Sequence, residues 1–336
     1  MNTPAKLGAY VLGLAVVFGG TLGVGSAVGA SPQVISHSEA QGHAQSRQPA
    51  STHTGGTHTV SAKPEEAASE DTPGGLQVSE NGYTLNPITS TIKPGVSTDF
   101  QFTVTGPNDS AVTDYQVQHD KKLHFIVVSR DLGTFQHLHP VEAGGGVWSV
   151  KLTLPEAGAY RAFADFAPTG GSALTLGADL LVAGEYTPKA LPAASRTAEV
   201  DGYTVTLDGD LVPGQASKLT LKVSKDGKPI TDLQPYLGAY GHLVALRGSD
   251  LAYLHVHPDG APGDGKTKPG PEIVFYAEVP SRGDYRLFLD FQHGGKVRTA
   301  DFTLGAGQAT AASTASPSAS PSSSKGTDHD STPHSH

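Results

Sequence analysis

HFIVVSRDLGTFQHLHP (residues 124–140) and YGHLVALRGSDLAYLHVHP (residues 240–258) decide the fold. Each begins an apolar run beside a histidine, breaks at a short polar turn, and ends on His-x-His-Pro. His124, His137 and His139 recur 118 residues later as His242, His255 and His257. Other landmarks return in the same order. Asn81-Gly82-Tyr83-Thr84 becomes Asp201-Gly202-Tyr203-Thr204, Pro94-Gly95 becomes Pro213-Gly214, and GAYRAFADF (158–166) becomes GDYRLFLDF (283–291). Preserved order identifies a tandem duplication.

Each copy consists of short segments of period two, punctuated by Gly, Pro, Asn and Asp. Residues 148–154 and 273–279 are typical, and no helical period occurs within the copies. That pattern predicts an all-β protein of two tandem antiparallel β-sandwiches, immunoglobulin-like or cupredoxin-like. The expected boundaries are 78–184 and 198–304, joined by a linker at 185–197.

Outside the copies the chain changes character. Residues 1–30 read as a signal peptide or signal anchor: Lys6 precedes an uncharged stretch at about 7–28, long enough to span a bilayer. Everything after it is expected outside the cytoplasm, membrane-anchored or secreted. Residues 31–77 and 305–336 are rich in Ser, Ala, Thr, Gly and Pro and hold seven of the fifteen histidines. Too little apolar surface is available there to offset chain entropy, so both are expected to be disordered.

Composition narrows the chemistry. The chain has no cysteine and a single methionine, Met1. Disulfides, thiolate metal centres, iron–sulfur clusters, Cys nucleophiles and thioether copper(I) sites are therefore excluded. A net charge of −9 argues against nucleic acid as a partner.

The histidines of the copies carry what chemistry remains. On a strand, residues i and i+2 share a face about 6.5–7 Å apart. His137/His139 and His255/His257 can each converge on one cation, with His124 or His242 reaching across from a neighbouring strand. One three-histidine metal site per copy is the expectation. Imidazole donors favour Cu(II) or Zn(II), and neutral ligands imply binding that weakens as pH falls through about 6–6.5. Asp165 and Asp290 lie on aromatic strands, where a carboxylate needs a partner. Arg161 and Arg286 are candidate ion-pair partners for them; a ligand or histidine-orienting role is the other reading. Glu142, His119 and His293 are peripheral candidates, and no catalytic residue is expected.

The paired His-Leu/Val-His-Pro segments resemble those of exported, often N-terminally anchored bacterial proteins described as heavy-metal-binding or cupredoxin-like. The resemblance spans about residues 80–304 and implies metal handling, with copper foremost. A metal transporter or chaperone would then be a partner. Two other readings remain: an adhesive or structural module for a protein or cell-wall partner, and a cupin-like enzyme gripping metal through His137, His139 and Glu142.

Overall fold

The computed structural model describes residues 72–254 and 256–307. The segment at 7–28, most of both terminal stretches and His255 lie outside the described residues. Among those described there is no helix long and apolar enough to cross a membrane, and every strand pair is antiparallel.

Each copy is a two-sheet sandwich. In the first, one sheet runs Ser79–Glu80, Tyr83–Pro87, Thr98–Thr105, Val147–Leu152, Val141–Gly144. The other runs Leu174–Val182, Gly158–Pro168, Leu123–Ser129, Phe135–Leu138, with Tyr115–Gln116 beside the long second strand. The second copy repeats the plan. Thr197–Val200, Tyr203–Asp208, Ala216–Lys225, Glu272–Glu278 and Val256–Pro258 form one sheet; Tyr253–Leu254, His242–Arg247, Gly283–His293 and Lys296–Ala306 form the other.

Alternation fills the cores. Phe100 and Phe102 stack on Phe125 at 5.5 and 4.7 Å between ring centres, and Trp148 donates to the Tyr115 hydroxyl at 3.2 Å. Leu123, Phe125 and Val127 point into this core, yet every residue of their strand is buried. The opposite face explains it. Ile126, Val128 and Phe163 pack against Val244, Leu246, Tyr253 and Phe288 of the second copy, in a third apolar cluster between the sandwiches. Phe135 and Phe288 stack there at 4.1 Å, nearly parallel. Burying such side chains contributes roughly 1.5–3 kcal/mol each.

Two equivalent turns feed this seam. Leu132 and Leu251 both adopt positive φ (57° and 65°), a costly conformation for leucine. Both side chains are buried in the inter-copy cluster, which compensates the local strain.

The linking segments are tied down more than their composition suggests. Residues 74–77 belong to a stretch expected to be disordered, but the structure holds them. Gly75 N–H donates to Thr175 O at 2.7 Å, Tyr253 N–H to Gly74 O at 2.9 Å, and Arg161 Nε to Gly75 O at 2.8 Å. Two small glycines allow this close passage; a Cβ on Gly75 would lie 2.5 Å from the Phe163 ring. In the 185–197 linker, Asp131 accepts from Lys189 N–H and the Tyr186 hydroxyl, and Leu191 packs on the seam.

Candidate metal centre

Pleat and register place the histidines. His124 lies on the same face as Ile126 and Val128, so it points at the second copy. The ladder sets His124 opposite Asp165, and Asp165 opposite Thr175. In the second copy His242 is opposite Asp290 and Asp290 opposite Thr299. His137 pairs with Ile126 across the edge strand and shares that face.

With the two faces against each other, the histidines meet in one cluster. Ligand nitrogens of His124, His137 and His242 all lie within 4.8 Å of one another. His124 stacks on His242 at 5.3 Å, and His137 is 4.8 Å from both His139 and His242, ring centre to ring centre. His119, in a tight turn at φ 48°, sits 5.5 Å from His242.

Hydrogen bonds fix the tautomers. His137 Nδ1 is 2.8 Å from Asp290 Oδ2, both side chains almost fully buried. Where the carboxylate accepts, a proton lies on His137 Nδ1, and in the neutral ring Nε2 is then a lone pair. Asp290 is itself held by the Thr299 hydroxyl at 2.5 Å. His124 Nε2 is 3.1 Å from the Gln118 carbonyl oxygen, which also only accepts. Neutral His124 therefore carries its proton on Nε2 and its lone pair on Nδ1. That Nδ1 lies 3.1 Å from His137 Nε2. With His137 neutral, two lone pairs face each other at this distance; with a second proton on His137, its Nε2 donates to His124 Nδ1 instead.

The electrostatics favour the neutral form at four of the rings. Burial, then the neighbouring His137, pushes His124 down to about 3. Burial, then His137 and Lys121, lowers His139 to about 4. His242 falls well below its ordinary value, mainly by burial and then by His137 and His124. Burial also lowers His119 and raises the Asp165 carboxyl, which accepts from the Thr175 hydroxyl at 3.0 Å. Burial, then the Asp290 carboxylate, pushes Tyr236, beside His139, up to about 12.

The grouping differs from one triad per copy. His124, His137 and His139 come together, but with His242 and Asp290 of the other copy. His257 is exposed on Val256–Pro258, a strand of the opposite sheet. The chain crosses between sheets earlier in the second copy, where Tyr253–Leu254 is the whole edge strand. His255 is outside the described residues. His293 lies elsewhere, between the Tyr203 hydroxyl (2.7 Å) and Asp232 (3.1 Å).

Two sequence readings need correction. Arg161 and Arg286 do not pair with Asp165 and Asp290. Four residues along a strand is about 13 Å, too far for an ion pair. Arg161 instead binds Asp179 at 2.6 Å and Arg286 binds Asp301 at 2.9 Å, across the ladder. Glu142 is not with His137 and His139 in a cupin-like grip. It is exposed on the other sheet of the first sandwich, paired with Lys122 at 2.8 Å.

Sequence reasoning missed Gln118, Thr299 and Tyr236. Thr299 had a signal, since Thr175 and Thr299 stand at equivalent positions opposite the two aspartates.

A family profile described as "Domain of unknown function (DUF8832)" matches twice, at residues 77–183 and 198–308. No curated protein matches the chain. Solved structures with similarity include the Escherichia coli adhesin FdeC, 15% identical over 68% of this chain and 65% of that one (TM-score 0.24). The Yersinia pseudotuberculosis adhesin InvE is 16% identical over 68% and 60% (TM-score 0.20). Invasin, a bacterial integrin-binding protein, is 14% identical over 66% and 39% (TM-score 0.19). The chain thus spans less than two thirds of each. Likeness at this level says nothing about the site.

Proposed function

We propose that this chain, which belongs to the DUF8832 family and carries that domain twice, binds one divalent transition-metal ion between its repeats. His124, His137 and His242 are the ligands, and the role is sequestration or delivery outside the cytoplasm. The observation that supports it is the close approach of two ligand nitrogens, His124 Nδ1 and His137 Nε2, 3.1 Å apart. Two nitrogens each 2.0–2.1 Å from one ion are separated by about 2.9 Å at a right angle and about 3.3 Å at a tetrahedral angle. The observed distance falls between these. Buried imidazole donors and a chain without cysteine suit Cu(II) or Zn(II).

The Asp290 carboxylate and its Thr299 support would orient His137 and strengthen it as a donor. Both come from the repeat opposite His137, so the repeats complete one another. A metal transporter or chaperone as partner, and tethering through the stretch at 7–28, extend this reading.

The test is metal titration of the full chain with its seven terminal histidines replaced by serine, which removes adventitious capture. One Cu(II) or Zn(II) per chain is expected, lost on His124→Ala or His242→Ala. Equal loading of parent and variants overturns the proposal.

A second reading takes the tandem sandwich as the function: an adhesive or structural module for a protein or cell-wall partner. The adhesins above carry that description for themselves. It is supported if cell-wall or protein binding survives both metal removal and His124→Ala.

A further inference from the structure

We infer that His139 supplies a fourth nitrogen, so that the ion sits in a closed cage of four imidazoles from both repeats. This rests on the metal reading above and specifies its coordination. The ladder pairs Phe125 with Leu138 and Ile126 with His137; one step further sets His139 opposite His124. His139 thus shares the face of His124 and His137 and meets both, at 5.3 and 4.8 Å between ring centres.

The ring spacing fits one central ion. An imidazole centre lies about 3.2 Å from an ion bound at 2.0–2.1 Å, so two such rings are about 4.5 Å apart at a right angle and about 5.2 Å at a tetrahedral angle. Five of the six pairs among His124, His137, His139 and His242 are ring contacts of 4.8 to 5.3 Å; His139 and His242 make none, so His139 joins the cage from the side of His124 and His137. His139 Nε2 provides an independent sign. It is buried and makes no hydrogen bond among the described residues, whereas buried polar groups are nearly always satisfied. His119 is the competing fourth ligand, but its ring is 6.1 Å from His124.

Around a tetrahedral ion such as Zn(II), four protein nitrogens leave no position for water or substrate. Structural sites are closed in this way, while catalytic sites keep one position open. The cage therefore holds an ion, and release requires the two repeats to part or a ring to swing out.

The test counts nitrogens in the full chain with terminal histidines replaced by serine, loaded with one equivalent of Cu(II) or Zn(II). Pulsed electron paramagnetic resonance of the copper form and X-ray absorption of the zinc form are expected to show four imidazoles. His139→Ala is expected to show three imidazoles plus water and a ten- to hundredfold weaker affinity, with His119→Ala unchanged. Three imidazoles plus water in the unsubstituted cage overturns the closed cage and leaves metal binding standing. That count needs no variant to fold. Failure to bind an ion at the cluster removes both claims.

Discussion

At the residue scale, Asp290 shows how an acidic group on an apolar strand is given partners. Its two oxygens accept from Thr299 and His137, and it is 2% exposed. Replacing it by Asn keeps the shape and weakens the charge-assisted bond. We expect Asp290→Asn to lower metal affinity about tenfold to a hundredfold with the fold intact, measured by competition against a chromophoric chelator. Acid sensitivity shifts as well. The spacing of the histidines alone suggests loss of metal near pH 6–6.5. Burial lowers His124 to about 3 and His139 to about 4, so protons compete for those nitrogens only at lower pH. Protonation of His124 and His139 is therefore expected to cost little occupancy at pH 5.5, read by equilibrium dialysis. Asp165 and Asp290 were recognisable in the sequence as carboxylates in need of partners. Their partners were not, because arginine at i−4 is near in sequence and about 13 Å away on a strand.

At the element scale, the strand Leu123–Ser129 carries the account. Its FIVV run does not alternate in polarity, which is the mark of a strand covered on both faces. The sequence therefore held a sign that something covers the outer face, and the duplication supplied a candidate. What it could not show was which side chains cross the seam, since that depends on how two pleated faces settle. Phe288→Ala removes the ring stacked on Phe135 and should cost about 3–5 kcal/mol, read as a fall in denaturant midpoint. Gly177 offers a second test. A Cβ there would lie 2.0 Å from Gly75 O, so Gly177→Ala should displace the strap at residues 74–77 and expose it to limited proteolysis. A cut pattern identical to the parent would contradict the strap's place.

At the scale of the whole molecule, the two sandwiches bury a histidine cluster in which four rings protonate less readily than in the unfolded chain. The folded pKa values of His119, His124, His139 and His242 lie below the unfolded value of about 6.5, so the unfolded chain binds more protons. Stability without metal is full above pH 6.5 and falls as pH drops from there toward about 3. The thermal midpoint should decline by several degrees between pH 7 and pH 4.5, and less in His124→Leu. Metal acts in the opposite direction, adding about 2.7 kcal/mol at a hundredfold excess over Kd. The duplication, the sandwiches and the histidine spacing were readable from sequence. The cluster formed across the repeats was not, since equal spacing in both copies suggests two equal sites. The second copy breaks the symmetry where its chain crosses sheets beside His257.

The claim that the repeats jointly hold one ion is tested most directly by metal content after dialysis of the full chain lacking its terminal histidines. Compared with it are His124→Ala in the first repeat and His242→Ala in the second. The account predicts one ion per chain in the parent and none in either variant. Two ions in the parent, or one retained in either variant, would contradict it.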